Sequence, residues 1–232
     1  MTVSVAMAAY NGEEYISQQI DSILDQLGKE DELIVSINPS TDRTEEIVRQ
    51  YADLDKRVKF FICNASGVLK NFENAISESS KDIIMLADQD DIWAKDKLYI
   101  VKKRLEDKTI SGICHGCIYI DSTGELTQQQ PEKLETHKVS ILEILKKNRV
   151  QGSCLAFRSD LKKWILPFPD RIPMHDSWIG LMICKHGVLL YLDEPLLLYR
   201  QHEGTVTVRK HGSVKKMIIS RMELINALLH SK

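Results

Sequence analysis

The sequence predicts an α/β domain in which helices flank a mostly parallel central sheet and an amphipathic helix closes the C-terminal end. Three observations carry this expectation. In the first half, apolar runs of strand length alternate with longer stretches of helical periodicity, the pattern of right-handed βαβ units. The run at residues 83–87 delivers Asp88-Gln89-Asp90-Asp91 at its end, and open α/β sheets bind ligands beyond the carboxyl ends of their strands. Finally, residues 213–231 place Lys215, Lys216 and Arg221 among Met217, Ile218, Met222, Ile225 and Leu229, a basic amphipathic pattern.

Taken in order, residues 3–8 form a first buried strand that ends at Ala9-Tyr10-Asn11-Gly12. Residues 13–27 follow as a helix with Ile16, Ile20, Ile23, Leu24 and Leu27 on one face. Residues 32–37 are a second strand, and Asp42 with Glu45 forms a capping box for the next helix. Residues 58–63 are a third strand, residues 71–79 a helix and residues 83–87 a fourth strand, with another helix starting near Lys95. The second half is less regular. Residues 112–120 read as a strand on the sheet's edge and residues 127–138 as an exposed polar loop. Ser140 and Glu143 cap a short helix, residues 150–157 are a strand, and residues 167–173 are a proline-stiffened loop. Residues 176–186 form a helix stopped by Gly187 as a C′ residue, and residues 188–199 supply a last strand. Residues 1–210 are expected to be one domain, with 1–110 and 111–210 as its two halves, and 211–232 a helical tail.

Length and composition exclude several classes. A chain of 232 residues with 43% hydrophobic and 28% charged residues suits one globular domain, and a net charge of −2 gives no general attraction to nucleic acid. No apolar run of membrane-spanning length and no charged, cleavable leader is present, so a cytoplasmic location is expected, with the inner face of the plasma membrane as an option. Five cysteines, an odd number set in apolar surroundings, argue for packed thiols rather than disulfides; Cys114-His115-Gly116-Cys117 lacks the second pair of a zinc site.

The chemistry converges on one rim. Loops after the first four strands bring Tyr10 and Asn11, Asn38, Asn71, and then Asp88, Asp90 and Asp91. Crowded carboxylates repel one another unless a cation or a positive ligand compensates, and hard oxygen ligands favour Mg²⁺ or Mn²⁺ that also hold substrate phosphates. The alternative is a solvated acidic turn capping the following helix. Neither a dinucleotide fingerprint nor a P-loop follows any strand, so phosphates would be held through a metal rather than by a glycine cradle.

The segments Val5-Ala6-Met7-Ala8-Ala9-Tyr10-Asn11-Gly12, Ser40-Thr41-Asp42-Arg43-Thr44, Asn71-Phe72 and Asp88-Gln89-Asp90-Asp91-Ile92-Trp93 resemble the family-2 glycosyltransferases, in particular their bacterial rhamnosyltransferase-like branch. In the second half, Gln151-Gly152-Ser153, Met174-His175-Asp176-Ser177-Trp178 and Leu198-Tyr199-Arg200-Gln201-His202 continue the resemblance in order. It implies a GT-A fold, a nucleotide-diphosphate sugar donor, a divalent metal (Mn²⁺ or Mg²⁺) and inverting transfer of a sugar such as rhamnose to a saccharide or lipid-linked acceptor of a surface polysaccharide. By position it implies Ala8, Ala9, Tyr10, Asn38, Asn71, Asp88 and Gln89 around the nucleotide-sugar, Asp90 and His202 on the metal, Asp176 as general base, and Gln151, Gly152, His175 and Trp178 on the acceptor side. Partial burial, by Trp178 for example, would raise the basicity of Asp176.

Each role has a plainer rival. Tyr10 could be core packing, Asp176 a helix N-cap and His202 part of a polar turn, while Trp93 and Trp178 could be packed aromatics with one polar edge satisfied. One departure stands out: Ile37-Asn38-Pro39 occupies the place of the family's usual Asp-Asp pair, and Asn38 offers both a donor and an acceptor but no charge. Glu203-Gly204-Thr205 is a second departure, lacking an asparagine common in this branch. A catalytically silent relative that binds a nucleotide-sugar or supports an active partner is therefore the alternative; a nucleotidyltransferase is remoter, because the rim has no basic triphosphate clamp. The C-terminal helix could lie on a membrane, pack on the domain or pair with a second copy.

Overall fold

The computed structural model describes residues 1–202 and 214–231, with side chains in the last segment described from Met217 onward. In chain order the elements are β1 (Val3–Ala9), α1 (Ile16–Leu24), β2 (Glu32–Ile37), α2 (Thr44–Leu54), β3 (Val58–Ile62), α3 (Val68–Glu78), β4 (Ile83–Asp88), β5 (Ile92–Trp93), α4 (Lys97–Arg104) and β6 (Gly112–Ile120). There follow β7 (His137–Lys138), α5 (Ile141–Lys146), β8 (Leu155–Arg158), α6 (Lys162–Ile165), α7 (His175–His186), β9 (Leu189–Arg200) and α8 (Val214–His230). The expected domain boundary at residues 210 and 211, the start of the tail helix at Ser213 and the Glu203-Gly204-Thr205 segment lie outside the described residues.

Among the described residues one sheet runs in the order β3-β2-β1-β4-β8-β6-β9-β5, with β7 beside β9. Strands β1 to β4 are mutually parallel, as the alternating pattern requires, and their buried valine, isoleucine and leucine side chains form the centre of the core. Beyond β4 the sheet turns mixed: β8 is antiparallel to β4 and β6, and β9 is parallel to β6 but antiparallel to β5 and β7. All five cysteines are free thiols.

The structure departs from the sequence expectations at six places, one being that His137 and Lys138, expected in an exposed loop, form β7 against β9. Strand β6 is not at the edge; it pairs with β8 on one side and with β9 on the other, which buries residues 112–115 completely. Residues 150–157 are not one strand, because Gly152–Cys154 forms a 3-10 turn before β8 begins. The first helix is shorter than its apolar stripe, because Gly12 O accepts from both Tyr15 N (3.1 Å) and Ile16 N (3.0 Å) in a preceding turn. Asp42 and Glu45 do not form a capping box. Asp42 instead accepts from Thr44 N and Glu13 N (both 3.0 Å), tying the α2 entrance to the loop after β1, while Glu45 pairs with Arg49. Gly187 ends α7 in extended rather than left-handed backbone; glycine is required there because a Cβ would strike the Ser111 hydroxyl.

The end of the sheet away from the strands' carboxyl termini is pinned by Glu32. Its buried carboxylate accepts from Ser4 Oγ (2.6 Å), Ser80 N and Oγ (both 2.9 Å) and Lys59 Nζ (2.8 Å), joining β1, β2, β3 and the approach to β4. Burial alone would raise its pKa, but the donors outweigh it and hold the group down at about 2, against an ordinary 4.5. The contribution to stability is therefore complete above 4.5 and disappears as pH falls toward 2. Urea unfolding at neutral pH and across this acid window should show Glu32→Gln less stable than the wild type at neutral pH, and losing less stability on acidification.

Candidate active site

The carboxyl ends of β1, β2 and β4, the loop into α3 and the start of α7 enclose a cavity of about 840 Å³, within the range that holds nucleotide-sized ligands. It is lined by every predicted site residue except Trp178 and Asp91.

On one wall Tyr10 projects with 54% of its surface exposed, which rules out the core-packing alternative. Its backbone is clamped by Gln89, whose Oε1 accepts from Tyr10 N and whose Nε2 donates to Tyr10 O, both at 2.8 Å. Gln89 thus spends its amide on positioning Tyr10 rather than on a ligand. Asn38 is buried, and its Nδ2 donates to Cys63 O (2.8 Å) and Ala65 O (2.9 Å). The donor expected for a base edge is therefore consumed in holding the loop after β3, leaving Oδ1 as the side chain's remaining hydrogen-bonding atom. Asn71 donates from Nδ2 to Ala9 O (2.9 Å), and its buried Oδ1 has no partner. Ala8 and Ala9 line the wall as the end of β1.

The acidic turn occupies the floor. Asp88 and Asp90 face the cavity, but Asp91 does not: it is fully buried, its Oδ1 accepting from Arg200 N (3.0 Å) and its Oδ2 without a partner. The expectation of three carboxylates on the rim is corrected to two. Burial, then repulsion from Asp90 and Asp88, pushes Asp91 well above the usual carboxylate range. Burial, then repulsion from Asp90 and Asp176, raises Asp88 to about 7. None of the three caps the next helix, whose N-cap residue is Asp96.

Arg200 holds this turn in place, and a second cation, Lys97, is buried nearby. Arg200, itself buried, donates from Nε to Asp90 O (2.8 Å), from Nη2 to Gln18 Oε1 (2.6 Å) and from Nη1 to Ser122 O (3.0 Å), with its guanidinium 4.7 Å from the Tyr15 ring. Lys97 is buried on the other side, donating to Ser153 O (2.8 Å) and lying 4.5 Å from the centre of the Trp93 ring. Burial lowers its pKa to about 8, against the pull of Cys154, Asp91 and Asp88. Lys97 was not singled out from the sequence, because residue type alone places a lysine in water. His202 closes the floor, its Nε2 2.8 Å from Asp90 Oδ2 and its ring 4.9 Å from that of Tyr15.

The far wall is the start of α7. Asp176 lies within the first turn, after the N-cap Met174, so the N-cap alternative does not hold. Its Oδ1 accepts from Ser177 N (2.5 Å), Ser177 Oγ (3.0 Å) and Asn148 Nδ2 (3.3 Å). Burial outweighs these donors and raises it to about 6. Asn148, unremarked in the sequence, also donates to Ser177 Oγ (2.9 Å) and so fixes the helix start. His175 stacks on Phe72 with ring centres 4.0 Å apart, and both its nitrogens are buried without partners. Burial drives its pKa down to about 3, so it is neutral. Gly152 sits against this ring; a Cβ there would lie 2.5 Å from His175 Nε2. Gln151 lines the same wall and accepts from Cys117 Sγ at 3.5 Å.

Trp178 is not part of this wall. It is buried in the core, its indole N–H bound to Ile165 O at 2.9 Å, and Asp176 is shielded by its other neighbours instead. Trp93 is also buried, but its indole nitrogen lacks the partner expected for a packed tryptophan.

An aromatic and amide wall, an acidic floor and a further carboxylate opposite share one cavity on a GT-A sheet. The chain belongs to glycosyl transferase family 2: the model of that family, described as Glycosyl transferase family 2, matches residues 4–165. TuaG of Bacillus subtilis (strain 168), which bears the name of a teichuronic acid biosynthesis glycosyltransferase, is 34% identical over 220 residues, covering 92% of this chain and 84% of its own. RfbG of Shigella flexneri, named a dTDP-rhamnosyl transferase, is 26% identical over 216 residues, covering 85% of this chain and 72% of its own. Among solved structures, S. aureus TarS 1–349 in complex with UDP-GlcNAc shares the fold with a TM-score of 0.77 at 19% identity, over 100% of this chain and 68% of that one.

Arg200 can be tested directly. Lysine cannot reproduce its fork, so Arg200→Lys strands Asp90 O, Gln18 and the turn at Ser122, and a stability loss of roughly 2 to 4 kcal/mol is expected in chemical denaturation.

Proposed function

We propose that the chain is an inverting glycosyltransferase that moves a sugar, with rhamnose one candidate, from a nucleoside-diphosphate sugar to a saccharide or lipid-linked acceptor during synthesis of a bacterial surface polysaccharide. The observation that carries this reading is the placement of Asp176, a carboxylate of raised basicity, across one cavity from Asp88 and Asp90. The names of TuaG and RfbG support polysaccharide synthesis, and the UDP-GlcNAc and UDP complexes of TarS support a nucleotide-sugar donor.

In this reading Tyr10 covers the base and Asn38 Oδ1 accepts the ring N–H that uracil, thymine and guanine carry but cytosine and adenine lack. Asp88 reaches the ribose. Asp176 removes the proton of the acceptor hydroxyl as its oxygen attacks the anomeric carbon, and the nucleoside diphosphate leaves from the opposite face, which inverts the centre. His175, neutral and unpartnered, and Gln151 with Gly152 orient the acceptor.

A divalent cation, Mn²⁺ or Mg²⁺, fits the donor set. Asp90 and His202 supply oxygen and imidazole nitrogen side by side, and the repulsion that raises Asp88 is the kind a cation relieves. Among the described residues no three side chains stand close enough to cage an ion, but a cation shared with substrate phosphates needs only one or two protein ligands. Bound there, it would offset the charge gathering on the departing diphosphate.

The commitment of Asn38's donors favours a second reading, nucleotide-sugar binding without transfer. A thermal-shift screen of UDP-, dTDP- and GDP-sugars, each with and without Mn²⁺, identifies the donor, and Asp176→Asn then separates the readings. Transfer should fall by about 10² to 10⁴ in kcat while the donor-induced shift persists; a variant that turns over like the wild type would exclude Asp176 as base. Because the base must be ionised, kcat should decline as pH drops through about 6, the raised pKa of Asp176.

A further inference from the structure

Helix α8 has two apolar faces, and the domain covers one. Leu224 is buried, and Ala227 and Leu228 pack on the core beside it, where α8 lies against α5 and α7. Arg221 Nη2 donates to Lys146 O (3.2 Å) at the end of α5, and Lys185 Nζ near the end of α7 donates to Ser231 O (2.9 Å). The helix therefore runs beside α7 in the same direction. Because Asn148, two residues beyond Lys146, touches Asp176, the earlier turns of α8 lie on the side of the cavity.

The second face carries Ile218, Met222, Ile225 and Leu229, spaced at four, three and four residues so that they form one stripe, and they are 41% to 76% exposed. Ile219 beside them and Leu142 on neighbouring α5 are exposed as well. A continuous apolar stripe of this kind marks a contact surface. Charge decides what it contacts. In a chain of net charge −2, residues 209–232 hold Arg209, Lys210, Lys215, Lys216, Arg221 and Lys232 against Glu223 alone. A second copy docked on this stripe would bring two such basic segments together, whereas a surface of anionic lipid headgroups neutralises them.

We propose that the outer stripe of α8 seats the domain on an anionic bilayer, with Ile218, Met222, Ile225 and Leu229 entering the headgroup–acyl boundary. This holds the helix in the plane of the interface, since among the described residues no helix is long and apolar enough to cross a membrane. It places the cavity beside the surface from which a lipid-linked sugar chain would project.

The test reads binding rather than turnover, so its outcome is independent of the reading of the cavity. The full chain is sedimented with vesicles of phosphatidylcholine alone and of phosphatidylcholine mixed with phosphatidylglycerol. It should partition onto the anionic vesicles, less as salt rises, and not onto the neutral ones. The double substitution Met222→Glu, Ile225→Glu should weaken that partition by about tenfold or more, with thermal unfolding and circular dichroism unchanged because both side chains are exposed. Lys215→Glu with Lys216→Glu should flatten the salt dependence. Equal partition onto both vesicle types, or none, overturns the proposal. So does a dimer in light scattering that the Met222, Ile225 variant dissociates in the absence of vesicle binding, since it would assign the stripe to a second copy.

Discussion

Three carboxylates delivered by one buried strand repel one another, and much of the molecule is arranged to contain that repulsion. Asp91 is turned inward against the backbone of Arg200, its pKa raised by burial and by Asp90 and Asp88. Arg200 reaches under the turn to its carbonyl at Asp90, and Lys97 lies on the opposite side. Both cations come from outside the four parallel strands: Arg200 ends β9, and Lys97 opens α4. The short pairing of β5 with β9 brings these pieces together, because Ile92 and Trp93 follow the acidic turn directly. The mixed half of the sheet thus closes the floor of the cavity that the parallel half opens.

The parallel half was readable because its signals are local. Strand-length apolar runs alternate with helical stripes, and the topology follows from the handedness of their connections. The mixed half was not, because whether residues 112–120 lie at an edge depends on β8 inserting from forty residues away. Helix starts were misread where a side chain found a distant partner instead of its local one. Asp42 binds Glu13 N, a contact between two loops that no capping pattern encodes.

For the cavity, the sequence was a good guide to which segments meet and a poorer one to which atoms face the ligand. Residue type announces hydrogen-bonding capacity, not its use. Gln89, Asn38 and Asn71 each turn amide donors on backbone carbonyls, so they shape the wall more than they read a substrate. Asp91 and Trp178 follow the motifs but point into the core. Lys97 stayed hidden because a lysine is expected in water, and its burial is met by the Ser153 carbonyl and the Trp93 ring.

The bonds from Asn38 to Cys63 O and Ala65 O reach beyond the wall they shape. An aspartate in the same rotamer would direct carboxylate oxygen at two carbonyl oxygens, with no proton between them. Exchanging this residue for aspartate is therefore not a one-step change. Position 38 and the path of residues 63–65 are interlocked, and a lineage crossing from one solution to the other must alter the loop first or pass through an ill-fitting intermediate. The amide at this position is part of a matched set.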